Sequence, residues 1–145
     1  METKRMTDLK LKVSKTINAS IEKVFNAWLN AEMLSQFMLP MVGMPHPKTE
    51  SDPQVGGQFA IFMQVGDDEI PHTGEYLEID FPRRLAFSWN SPFSAEGSVV
   101  TLDFKQVDEN KTHIDLVHVK FPDEQSRSNH EGGWGNILDA LDNLF

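Results

Sequence analysis

The chain has 145 residues, 39% of them hydrophobic, enough apolar material for one sizeable core and too little length for a second domain. Its formal charge of -9 repels phosphate backbones and anionic membrane surfaces, which sets nucleic acid aside as a partner. The lack of cysteine excludes disulfides, thiolate chemistry and Cys-ligated zinc. The charged stretch Met1 to Lys12 has no apolar h-region, and no run approaches the roughly 20 apolar residues of a membrane span, so a cytoplasmic location is expected.

In chain order, Leu9, Leu11 and Val13 alternate with Lys10, Lys12 and Ser14, predicting a half-buried first strand that runs towards Ile17. Ser20 is placed to cap a helix whose inner face is Ile21, Val24, Phe25, Trp28 and Leu29, and a second short helix is predicted over Ala31 to Phe37. Pro40, Pro45, Pro47 and Pro53 then mark a long connection with room for one edge strand and the character of a lid.

From Gly57 the period becomes two. Phe59, Ile61, Met63 and Val65 lead to a turn at Gly66-Asp67-Asp68, and further strands are predicted over His72 to Phe81, Arg84 to Asn90, Ser98 to Val107 and Thr112 to Phe121. Their short connections demand an antiparallel meander, since parallel neighbours need crossover helices. After Pro122, Asp123 is a candidate cap for a final helix with the stripe Trp134, Ile137, Leu138, Leu141 and Phe145. Gly132, Gly133 and Gly135 are costly inside such a helix, so it must start or bend there, or pass close to something.

The segments Val24-Phe25-Asn26-Ala27-Trp28, Val55-Gly56-Gly57-Gln58-Phe59, His72-Thr73-Gly74-Glu75-Tyr76, Arg84-Leu85-Ala86-Phe87-Ser88-Trp89 and His130-Glu131-Gly132-Gly133-Trp134, in this order over nearly the whole chain, resemble the bacterial single-domain relatives of the C-terminal domain of the Hsp90 ATPase activator. That group lies within the START-like, Bet v 1-like superfamily. The resemblance implies an α+β helix-grip fold for residues 1–145 as one domain: a curved antiparallel sheet of about seven strands around a long C-terminal helix, with two short helices after the first strand. Fold does not fix function, because the superfamily holds ligand binders, cyclases and co-chaperone modules alike.

The alternating runs place Phe59, Ile61, Met63, Tyr76, Phe87, Trp89, Leu102 and His118 on the concave face, opposite Trp134 and Leu138. With Trp28 and Phe37, these residues are expected to line a cavity for a small hydrophobic or amphipathic molecule. The competing reading is that they pack on one another and leave no void. His118, Tyr76 and His72 are the acid/base candidates of an enzyme alternative of cyclase, dehydratase or hydrolase type. Glu75 alternates outward. No catalytic residue is assigned, and the spacing of histidines and carboxylates gives no metal motif and no cofactor fingerprint. The partner expected is thus a small lipophilic molecule, with a co-chaperone role towards a chaperone and a homodimer as the alternatives.

Overall fold

The computed structural model describes residues 9–145. The reading of the N-terminal stretch as lacking a secretory signal falls largely on residues 1–8, outside the described part. The elements run β1 (Lys10–Ile17), α1 (Ile21–Ala27), α2 (Ala31–Phe37), β2 (Lys48–Ser51), β3 (Gln58–Val65), β4 (Asp68–Asp80), β5 (Arg84–Ser88), β6 (Val99–Asp108), β7 (Lys111–Val119) and α3 (Glu124–Asp142). All seven strands form one antiparallel sheet in the order β1-β7-β6-β5-β4-β3-β2. From β3 to β7 this is the predicted meander, and β1 closes it by pairing with β7.

The inward register is the predicted one. Phe59, Ile61, Tyr76, Leu85, Phe87, Trp89, Val100, Leu102, Phe104, Ile114, Leu116 and His118 are buried, while Glu75 is exposed. Two element limits differ from expectation by more than two residues. β4 begins at Asp68 instead of His72, because Gly66 at φ +62° opens a tight two-residue turn with Asp67 and pairing starts at once. Pro71 is tolerated because this part of β4 pairs with β3 alone. At the C-terminus, α3 stops at Asp142, so Phe145 is 41% exposed and does not extend the buried stripe of Trp134, Ile137, Leu138 and Leu141.

Helix α3 is held along its whole length. Asp123 caps it by accepting the Ser126 amide at 2.7 Å, and the Ser126 hydroxyl donates to the Phe93 carbonyl at 2.6 Å in the β5–β6 loop. Asn136 donates to the Pro40 carbonyl at 2.8 Å, Lys15 of β1 meets Asp139 at 3.0 Å, and the Asn18 amide donates to Asp142 at 2.9 Å. Ser20 occupies the N-cap of α1 in extended conformation without a side-chain cap bond, whereas Asn30 caps α2 by accepting the Met33 amide.

The glycines of α3 lie inside the helix, which neither starts nor breaks at them. A Cβ on Gly133 would come 3.2 Å from the Pro40 Cβ, so here the helix passes close to the α2–β2 connection. Gly132 and Gly135 have open space. Gly74, in β4, is far more constrained: a Cβ there would overlap the Ser88 carbonyl oxygen and lie 2.5 Å from the Phe59 ring. Gly132→Ala and Gly135→Ala should therefore each stabilise the protein by about 0.5–1 kcal/mol through helix propensity. Gly74→Ala should cost about 2–3 kcal/mol or more by overpacking. Urea unfolding of the three variants checks both signs.

Candidate functional site

The space between sheet and helix has two parts. Towards the N-terminal half of α3 it opens into a cleft of about 680 Å3. Gln125, Asn129, His130 and Gly133 bound it on the helix, Met63, Val65, Ile70 and His72 on the β3–β4 hairpin, and the buried Trp89, Trp134 and Ile137 underlie it. Met41 and Phe93, from the two loops that hold α3, border it while 47% and 50% exposed. The deeper part is filled with protein. Trp28, Phe59, Ile61, Tyr76 and Phe87 surround a residual void of only about 10 Å3, roughly one probe sphere, and Phe37, Leu102, His118 and Leu138 border neither space.

Of the residues expected to line a ligand cavity, the structure thus gathers Met63, Trp89 and Trp134 at the cleft and packs the others beneath it. Residues not among those expected complete the cleft, notably Ile70, Phe93, Met41 and Ile137. A sequence signal existed for two of them, since Pro40-Met41 and Pro92-Phe93 put large apolar side chains into loops, where folding alone gives them little to bury.

Aromatic rings form the boundary between the two parts. Trp134 lies 5.0 Å from Trp89, 6.4 Å from Trp28 and 6.0 Å from His118, centroid to centroid, and His72 lies 5.4 Å from Trp89. The indole of Trp134 donates to His118 Nδ1 at 3.0 Å. An indole nitrogen only donates, so Nδ1 carries the lone pair and the proton of the neutral ring sits on Nε2, where it is donated to Ser98 Oγ at 2.6 Å. Burial, aided by nearby His130, pushes the His118 pKa down to about 3. A ring fixed in this tautomer and wholly buried positions Trp134; it has no proton to exchange with the cleft.

The phenol of Tyr76 is also committed. Ser51 Oγ donates to the Leu29 carbonyl at 2.7 Å and accepts from Tyr76 at 2.8 Å, which ties edge strand β2 to the turn between α1 and α2. Burial raises the Tyr76 pKa despite its hydrogen bond with Ser51. His72 is buried, its Nδ1 directed at the Ile70 carbonyl at 3.2 Å, and desolvation lowers its pKa to about 4. His130 is the half-buried histidine of the cleft. Its Nδ1 lies 2.7 Å from the Ser126 carbonyl, which only accepts, so Nδ1 is the donor and Nε2 the remaining acceptor; burial lowers its pKa. The indole nitrogens of Trp28 and Trp89 are buried without a hydrogen-bond partner among the described residues. Nor do those residues group three or more His, Asp or Glu side chains suited to a metal ion.

Depressed histidine pKa values make stability depend on pH. The unfolded chain takes up protons near pH 6.5 that folded His72 and His118 refuse, so their contribution is complete above that pH and is lost as pH falls towards 4 and 3. Each tenfold fall in a ring's proton affinity is worth about 1.4 kcal/mol, so the loss is on the order of several kcal/mol. Urea titrations should show unfolding free energy declining from pH 6.5 to 4. His118→Gln should cost about 1–3 kcal/mol at pH 7 and make that decline shallower; an unchanged slope places the proton uptake elsewhere. Tyr76→Phe should lose about 1 kcal/mol, measured in the same way, with no change at the cleft.

The comparisons agree with this architecture. The family model described as "Activator of Hsp90 ATPase homolog 1-like protein" matches residues 18–145. No curated protein matches the chain. Among solved structures, a Chromobacterium violaceum protein superposes with a TM-score of 0.79 at 21% identity, covering 94% of this chain and 96% of its own. An HSP90 activator from Plasmodium falciparum gives 0.75 at 25% identity, with 93% and 94% covered. The AHSA1-like protein from Aeromonas hydrophila gives 0.74 at 23%, with 93% and 90% covered. No helix among the described residues is long and apolar enough to cross a membrane. With a helix-grip fold of seven antiparallel strands and a family match from Asn18 to the last residue, the chain belongs to the family of Activator of Hsp90 ATPase homolog 1-like proteins.

Proposed function

We propose that the protein binds a small hydrophobic or amphipathic molecule in the cleft between the N-terminal half of α3 and the β3–β4 hairpin. The observation that carries this reading is the contrast inside one fold: the deep interior closes to about 10 Å3, whereas about 680 Å3 stays open beside it. That volume lies in the range of small-molecule sites, and Met41, Val65, Phe93 and the half-buried Ile70 supply accessible apolar surface over a floor of Trp89 and Trp134. Burying about 300 Å2 of apolar ligand surface at about 25 cal/mol per Å2 yields about 7 kcal/mol before association costs, which corresponds to micromolar binding at best. An enzymatic reading draws less support, because two of its three acid/base candidates, His118 and Tyr76, are sequestered from the cleft.

A second reading, a co-chaperone module, is favoured by the family match and by the Plasmodium relative described as an HSP90 activator. It is read directly from the ATPase rate of a bacterial Hsp90 with and without the protein.

For the ligand reading, the neutral fluorophore N-phenyl-1-naphthylamine should brighten and shift blue on mixing, with quenching of the Trp89 and Trp134 emission. Ile70→Trp, which adds bulk at the half-buried wall, should weaken this binding about tenfold while the urea midpoint stays within the range of surface substitutions. Equal affinity in the variant places the fluorophore outside the cleft.

A further inference from the structure

Resting on the ligand reading above, we infer that the cleft selects lipophiles whose polar end is a hydrogen-bond donor, uncharged or cationic, and rejects carboxylates and other anions. Among the described residues that line the cleft, none is Lys or Arg. The charged side chain that borders it is Asp123, on a chain whose formal charge is -9. The feature that could still attract an anion is the N-terminus of α3, with its outward amide groups. It is already occupied in part by the chain's own acceptors: the Asp123 carboxylate accepts the Ser126 amide at 2.7 Å, the Asp123 carbonyl accepts the Arg127 amide at 3.2 Å, and Glu124 adds a second carboxylate in the first turn. Arg127, the cation of that turn, is engaged by Glu124 at 2.5 Å and Glu131 at 3.4 Å.

What the cleft offers a polar group is an acceptor. The Ser126 carbonyl takes the Nδ1 proton of His130 and leaves Nε2 as the lone-pair side of a neutral ring. The ring is neutral at pH 8 even at the ordinary histidine pKa, and burial lowers that pKa further. The donors that border the cleft are neutral: Trp89 Nε1 is buried, and the side-chain amides of Gln125 and Asn129 carry no charge, so a carboxylate there meets no cation to compensate it. An alcohol or ammonium head meets a lone pair and the Asp123 carboxylate; a carboxylate head meets both as repulsion or as an unmet bond.

The test holds the tail fixed and changes the head. 1-Decanol, decylammonium and decanoate are titrated at pH 8 against the bound N-phenyl-1-naphthylamine. Decanol and decylammonium should displace it at concentrations at least tenfold below decanoate. His130→Phe, which keeps an aromatic ring against Phe121 and His118, should reduce the decanol-to-decanoate ratio at least threefold. Decanoate equal to or tighter than decanol, while all three displace the fluorophore, overturns the head-group inference and leaves the binding reading intact. Failure of all three to displace it overturns both. An unchanged ratio in a folded His130→Phe protein removes His130 as the acceptor and overturns the assignment as stated.

Discussion

The hydrogen bond from the Trp134 indole to His118, continued to Ser98, is the constraint on which the interior is organised. Trp134 is the largest side chain that α3 sends towards the sheet, and an indole is free to swing about two torsions unless something fixes it. The buried imidazole fixes it through its Nε1–H, while Trp89 and Trp28 pack against it as tilted rings. The ring so placed separates a region packed to protein density from one that is open. Removing the bond would leave a buried donor and a buried acceptor unpaired, so geometry and stability are coupled there.

The same bond explains why a histidine on an inward register need not be chemical. Its two ring nitrogens are spoken for by a group that only donates and a hydroxyl that can accept, and protonation of Nδ1 would break the first of these bonds. Tyr76 follows the same logic with Ser51 and the Leu29 carbonyl. Polar atoms on the concave face are used to orient aromatic rings and to attach edge strand β2. His130, one turn before Trp134 on the opposite side of the boundary, keeps an acceptor in reserve.

Much of this was legible from the residues. Period-two runs from Phe59 to His118 defined the inward face, and the turn residues between them defined the meander. Helix α2 and the cap at Asp123 followed from spacing and capping chemistry alone. The position of the open space was not legible, for a physical reason. Alternation reports which way a side chain points, but a cavity depends on how far apart the opposing elements sit, and that is set by long-range contacts such as Asn136 with Pro40 and Ser126 with Phe93. Phe59, Phe87 and Leu102 share a register with Met63, yet the first three meet protein above them and Met63 meets the cleft.

The division of labour along α3 follows from its composition. The four buried residues of the helix, Trp134, Ile137, Leu138 and Leu141, all fall in its second half, and the first half, Glu124 to Gly133, is rich in charge, amide and glycine. An apolar first half would have drawn the sheet against it and closed the cleft, at a gain of roughly 1.5–3 kcal/mol for each large side chain buried. Its polar residues are bonded elsewhere instead: Ser126 to its cap Asp123 and to the β5–β6 loop, Arg127 to neighbouring carboxylates. Gly133 lets the helix approach Pro40 without a side chain between them, so the helix is anchored on the α2 side while the hairpin side stays open. One element thereby completes a core with its C-terminal turns and holds a cleft open with its N-terminal ones.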